Sequence, residues 1–181
     1  MVPRHPLDCW EQRLIEMESE VHASGCDAFK FLIEAWVNKL KSVVTPTGTA
    51  MFRGITRKQK ADCSWKPAEL PSGRSPKWPT MAVEVRWSES ASHLMNDVCF
   101  WLNESNGDVK VMLTVSIFAR HRISIEKMGL ERNSKRKVTG NMTILFEDVF
   151  LRPKRPTETD LTFSQSDLER MALKIWAVQD R

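Results

Sequence analysis

Long apolar runs are missing from this 181-residue chain. No stretch approaches the roughly 18 consecutive apolar residues that a membrane-spanning helix needs, so no membrane is expected among its partners. The opening "MVPRHPLDCWEQRL" carries basic residues but no apolar h-region, and a secretory signal is not expected. Cysteine is sparse. Cys9, Cys26, Cys63 and Cys99 are scattered, and no C-x-x-C pair occurs. That spacing argues against zinc, and with no signal it points to reduced thiols in an intracellular protein, cytoplasmic or nuclear. His5, His22 and His121 read as isolated, without a partner at metal-ligand spacing. No glycine-rich phosphate loop exists, which excludes the common nucleotide-dependent kinases and dehydrogenases. The segment "SES" lacks the glycines of a nucleophile elbow, so acyl transfer is unsupported.

What is present is an ordinary globular composition, 41% hydrophobic and 28% charged, long enough for one domain with its own core. The net charge of +4 is unevenly spread. Between Lys110 and Arg155 there are 11 Lys+Arg against 4 Asp+Glu; from Pro156 onward there are 3 against 5. Two basic clusters stand out, "RNSKRK" and "RPKR". The first offers Arg132, Lys135, Arg136 and Lys137 as candidate contacts to nucleic acid, DNA or RNA. The competing reading is a solvated loop. The KRK run also fits a nuclear localisation signal, a pattern that occurs often by chance.

Periodicity supplies the elements. Trp10, Leu14, Met17 and Val21 recur at helical steps. A second helix is expected from about Asp27, as N-cap, to Val43, with Phe29, Leu32, Ile33, Trp36, Val37 and Leu40 on one face. "AMFRGI" and "ADCSWK" read as extended pieces around a basic turn, and "PAELPSGRSPKWP" as a loop. "TMAVEVRW" reads as a central strand covered on both faces. A helix follows with Leu94, Val98, Trp101 and Leu102 on one stripe, capped by Ser88 or Ser90, and then the β-prone run "VKVMLTVSIFA". The strand–helix–strand order predicts a parallel crossover. "RISIEKMGLE" and "NMTILFEDVFL" are expected as two further strands joined hairpin-fashion by "RNSKRKVTG". Ser164 to Asp167 matches a capping box opening a last helix. One domain, 1–181, is expected: N-terminal helices to 44, a sheet core over 45–163 with its crossover helix at 88–105, and a C-terminal helix over 164–179.

One residue does not fit a buried strand. Glu84 lies inside "MAVEV" with Arg86 two places on, on the same face of the strand. A carboxylate buried without a partner is costly. Either Glu84 pairs with Arg86 as a structural ion pair, or it converges with Asp62 of "KADCSW" on a shared cation. Two carboxylates with waters and a phosphate make a magnesium site. Glu34, which interrupts the apolar face of the second helix, offers a third ligand.

The order helix acid, Asp, then Glu-x-Arg resembles the PD-(D/E)XK nuclease superfamily. Within it the chain is most similar to a group of small, mostly uncharacterised fungal proteins. The matching stretches are "KADCSWKP", "WPTMAVEVRWSES", "LMNDVCFWLNES", "VKVMLTVSI", "FEDVFLRP" and "TDLTFSQSDLERMALKIW". The resemblance implies an α/β fold, a restriction-endonuclease-like central mixed sheet flanked by helices. It implies Mg²⁺ as cofactor, held by Asp62 and Glu84. A lysine that positions water normally completes such a site. Here Ala61 replaces the proline before the aspartate and Arg86 stands at the lysine position, where the fungal group usually has glycine. Arginine can stabilise phosphate charge but stays protonated and cannot act as a base. The following helix, where some relatives place the basic residue, offers His93 and Asn96 near Asp97. The expected function is nucleic-acid binding by a protein of nuclease descent, with Mg²⁺-dependent phosphodiester cleavage by Asp62, Glu84 and Arg86 as its enzymatic form. The alternative is a catalytically degenerate module of the same fold that serves interaction or assembly.

Overall fold

A computed structural model describes residues 19–48, 50–87, 91–119, 121–129 and 142–180. The basic cluster at 132–137, the helix expected before residue 19 and the cap expected at 88–90 lie outside the described residues.

Helix α1 (Glu20–Leu40) begins seven residues before the expected start. Ser19 is its N-cap, accepting a hydrogen bond from the His22 N–H, while Asp27 sits inside the helix, exposed and paired with Lys30. The earlier cap wins because burial begins at Gly25 and Cys26, so the apolar stripe through Ala28, Phe29, Ile33, Trp36 and Leu40 already needs a helix there. Each large side chain on that stripe contributes about 1.5–3 kcal/mol by leaving water. Lys41, in the left-handed region at φ 50, ends the helix.

The strands are β1 (Val44–Pro46), β2 (Phe52–Arg53), β3 (Lys58–Gln59), β4 (Cys63–Pro67), β5 (Met81–Trp87), β6 (Val111–Phe118), β7 (Arg122–Met128), β8 (Met142–Ile144) and β9 (Leu161–Phe163). Five of them form one mixed sheet in the order β1-β4-β5-β6-β7. The β5–β6 pair is parallel, joined by helix α2 (Ala91–Glu104), and the other pairs in it are antiparallel. This is the parallel crossover with antiparallel margins expected from the sequence. β2 and β3 form a hairpin that Glu104 of α2 ties down through the Ile55 N–H (2.5 Å) and the Thr56 hydroxyl (2.7 Å).

Alternation along β5 divides the core. Met81, Val83 and Val85 pack toward α1, and Ala82 packs toward α2, where Trp101, Phe100, Trp78 and Phe52 form an aromatic cluster. β5 is thus central and covered on both faces, as its apolar run requires. α1 comes close to the sheet at Gly25: a Cβ there would lie 2.9 Å from Ile117 Cδ1 and 3.0 Å from Val85 Cγ1.

The segment "NMTILFEDVFL" departs from expectation. Only Met142–Ile144 is a strand. It pairs with β9 in a small separate sheet, so the expected hairpin with β7 does not form. The remainder is the short helix α3 (Phe146–Phe150), whose buried residues Phe146, Val149 and Phe150 are spaced for a helical turn and not for a strand. Helix α4 (Gln165–Gln179) carries the expected capping box, Ser164 with Asp167, and packs against α1. No helix among the described residues is long and apolar enough to cross a membrane.

Candidate metal centre

Glu84 occupies the even-numbered face of β5, the face toward α2. Only 4% of it is exposed, and its Oε1 accepts the Trp101 indole N–H at 2.5 Å. Asp62 lies in the bend just before β4, not on the strand itself. The antiparallel register Cys63↔Val83 brings Asp62 beside Glu84. Asp62 Oδ2 accepts the Val85 N–H at 2.7 Å and meets His22 Nε2, on α1, at 3.3 Å.

The two carboxyls are close enough to interact directly. Burial pushes the Glu84 carboxyl well above the usual range, and the charge of Asp62 and, more weakly, of Asp97 pushes it the same way. The Trp101 hydrogen bond opposes this shift, and a hydrogen bond between the Glu84 and Asp62 carboxyls adds to it. Arg86 is on the same strand face but bonds elsewhere: its Nε donates to Ser116 Oγ at 2.9 Å, and its guanidinium lies 5.4 Å from the Phe118 ring centre. Glu84 thus finds its partners in Trp101 and Asp62, and the in-strand ion pair is not the reason for an acid on β5. On α2, Asp97 is paired with Arg57 at 2.9 Å, and Arg57 also bonds the Asn96 carbonyl; His93 and Asn96 are exposed.

The helix contributes differently from expectation. Glu34 is exposed and lines a cavity of about 230 Å³ whose wall also includes Cys26, Lys30, Lys60 and Asp62. Among the described residues it is not in the ligand group that forms around Asp62. The α1 residue that does meet Asp62 is His22, about 18 Å earlier along the helix at 1.5 Å per residue. Among the described residues, His22, Cys26 and Asp62 form one group whose ligand atoms lie within 4.8 Å of one another. His22 is pushed up to about 11, first by its hydrogen bond to Asp62 and then by that to Cys26. The Cys26 thiol is pushed up by its contact with Cys63 and by burial. Sequence reading treated His22 as isolated. The missed signal is the four-residue spacing His22–Cys26, which becomes informative once the helix is known to start at Glu20.

Two cations of the "RPKR" cluster are paired with acids that follow it. Arg152 holds Glu158 through two bonds of 2.6 and 2.7 Å, and Lys154 pairs with Asp160 at 2.8 Å. Arg152 thus has a structural role, while Lys154 and Arg155 are exposed as the solvated-surface reading expects.

No protein-family model and no curated protein matches the chain. Its fold does match a solved structure from Anabaena variabilis ATCC 29413, described as a "putative nuclease belonging to DUF820", at 9% sequence identity and a TM-score of 0.54 over 84% of this chain and 82% of that one. The likeness is one of fold, and it establishes the restriction-endonuclease-like architecture that the sequence led us to expect.

Proposed function

We propose that the chain is a divalent-cation-dependent phosphodiesterase acting on nucleic acid, with Asp62 and Glu84 as its metal-holding pair. One observation carries this reading: a carboxyl on β5 and one from the bend that leads into β4 are brought together at a position where burial and mutual repulsion disfavour the charge on Glu84. A cation between them relieves both penalties. The donors are hard oxygens, which suits Mg²⁺ or Mn²⁺. The description of the structural neighbour supports the same class of chemistry.

Each residue then has a definable task. Trp101 fixes one oxygen of Glu84, whose carboxyl also bonds Asp62. The Val85 N–H orients Asp62. Arg86, steadied by Ser116 and Phe118, supplies a fixed positive charge on the same strand face, suited to a phosphate oxygen but not to proton abstraction. A bound divalent ion would supply the rest, by lowering the pKa of a water and neutralising charge on phosphate.

A second reading rests on a specific observation. The Asp62 carboxylate already has a cationic partner in His22, and no lysine stands at position 86. A chain so arranged would keep the fold and bind nucleic acid without cutting it. The two readings separate in one experiment. Labelled single- and double-stranded DNA and RNA are incubated with wild type, Asp62→Asn and Glu84→Gln, in Mg²⁺, Mn²⁺ or chelator. The enzymatic reading expects metal-dependent cleavage that falls by roughly 10²–10³-fold in either variant. Binding that persists in both variants with no cleavage by wild type supports the module. Neither binding nor cleavage overturns both.

A further inference from the structure

We propose that His22, Cys26 and Asp62 form a binding site for a thiophilic divalent cation of the zinc class, with one coordination position opening onto the adjoining cavity. This site shares Asp62 with the carboxylate pair but not Glu84, and it stands whether or not the chain cleaves nucleic acid.

The placement follows from α1. Residues four apart lie one turn above each other on a single helix face. The Ser19 cap holds the turn that carries His22, through the His22 N–H at 3.2 Å. His22 and Cys26 therefore project together toward the bend before β4, where Asp62 meets them. His22 Nδ1 lies 4.0 Å from Cys26 Sγ and His22 Nε2 lies 3.3 Å from Asp62 Oδ2; an ion takes only one of these nitrogens, and with one ligand atom from each residue the three lie within 4.8 Å of one another. Metal–ligand lengths of about 2.0–2.3 Å in a tetrahedron place donors roughly 3.3–3.8 Å apart. A set already within 4.8 Å needs only a small contraction to reach that size.

The donor chemistry selects the ion. A nitrogen, a sulfur and one carboxylate oxygen suit Zn²⁺, Co²⁺ or Cd²⁺ and not Mg²⁺, which prefers an all-oxygen octahedron. The residues are shielded but not sealed: Cys26 is 5% exposed, and the side chains of His22 and Asp62 are 12% and 20% exposed. Cys26 and Asp62 both line the 230 Å³ cavity, so the position left open by three protein ligands faces a space that can hold water or an anion. The same wall balances Lys30 and Lys60 with Asp27, which pairs with Lys30, and Glu34, so water is the occupant it suits. Binding displaces the thiol proton of Cys26 and frees a ring nitrogen of His22, both protons leaving to solvent.

The test is a Co²⁺ titration of the full chain after metal removal, read by absorption. The expected result is a thiolate-to-cobalt charge-transfer band with the strong visible bands of a tetrahedral ion, bleached by Zn²⁺ and not by excess Mg²⁺. Cys26→Ser should abolish the charge-transfer band. His22→Gln should weaken binding by at least about 100-fold, since even indirect partners of a metal are worth 10–100-fold. Cys99→Ser, which removes an exposed thiol, and Glu84→Gln should leave the band in place. Glu84→Gln also separates this site from the nuclease reading, because it removes cleavage and not cobalt binding. Wild type that gives no band, or a band that survives Cys26→Ser, overturns the proposal. If Cys26→Ser does not fold, His22→Gln, which keeps every thiol, decides: unchanged affinity there overturns it equally.

Discussion

Two carboxylates are almost equally hidden in this molecule, and their surroundings are opposite. Glu158 is 7% exposed and Glu84 is 4% exposed. Glu158 is gripped by the two Nη nitrogens of Arg152, by the Ser42 hydroxyl at 2.9 Å and by the Arg155 N–H at 2.7 Å. Its carboxyl is held down at about 2, chiefly by the Arg152 hydrogen bonds. Arg152 in turn stacks over Phe146, with its guanidinium 4.7 Å from the ring centre. Glu84 has one indole N–H and a second acid beside it, and its carboxyl is driven up. Burial is thus a poor guide to the role of an acid. The partner set decides: Glu158 is complete within the chain, whereas Glu84 needs a proton or a cation from outside.

Four measurements break or sharpen that contrast. The largest effect on stability is expected from Arg152→Ala, which strands the buried Glu158 oxygens. Its melting temperature should fall furthest of these variants, and adding Glu158→Gln to it should recover part of the loss. A melt indistinguishable from wild type would show that the pair is ornamental. Trp101→Phe comes next. It removes the indole donor from Glu84 and trims a fully buried ring. Denaturant unfolding should report a loss of about 1–3 kcal/mol from the unmet acceptor. The loss should shrink when Glu84 is also changed to Leu, since then no acceptor is left. Glu84→Gln alone should be milder and of opposite sign. Its amide can keep accepting from Trp101 and can donate to Asp62. In chelator, stability should stay level or rise by up to about 1.4 kcal/mol, the equivalent of one pKa unit. Any Mg²⁺-induced rise in melting temperature should vanish. A large loss in chelator, with no Mg²⁺ effect on wild type, would remove the metal reading.

The smallest and most diagnostic effects are in pH dependence, measured in chelator. Glu158 has a depressed folded pKa, so its stabilisation is present above the ordinary value of 4.5 and is lost as pH falls toward about 2. Glu158→Gln should flatten that acid limb. Glu84 and His22 have raised folded pKa values, so their contributions are fully present below their ordinary values and fade as pH rises, for His22 between 6.5 and about 11. His22→Gln should flatten the alkaline limb and leave the acid limb alone. An unchanged alkaline limb would mean that the His22–Asp62 contact contributes nothing.

The fold was more legible than the site. β5 and β6 announced themselves by apolar runs that only a doubly covered strand needs, and the α4 capping box is a local signal that tertiary contacts did not override. Asp62 and Glu84 could be paired in advance because an acid inside an apolar strand demands an explanation. What stayed hidden depended on contacts distant in sequence. Trp101 looked like one more core tryptophan, and only packing across α2 makes it a donor to Glu84. His22 looked isolated because its partner Asp62 is forty residues on, and because the start of α1 was misplaced by a plausible cap at Asp27. The segment after Met142 misled because Phe146, Val149 and Phe150 sit in a β-prone context yet bury one helical turn.

The close approach at Gly25 has a consequence for ion size. His22 and Cys26 ride on α1, Gly25 is the residue between them that touches the sheet, and Asp62 is anchored to the sheet through the Val85 N–H. Ile117 and Val85 act as stops against which the helix backbone rests. The gap between helix-borne and sheet-borne donors is therefore a thickness of packed hydrocarbon, set by the absence of one methyl group. Close-packed interiors yield little to such changes. Selectivity among cations of different radius would then be a mechanical property of the core, tuned by substitutions at Gly25, Val85 or Ile117 that touch no ligand.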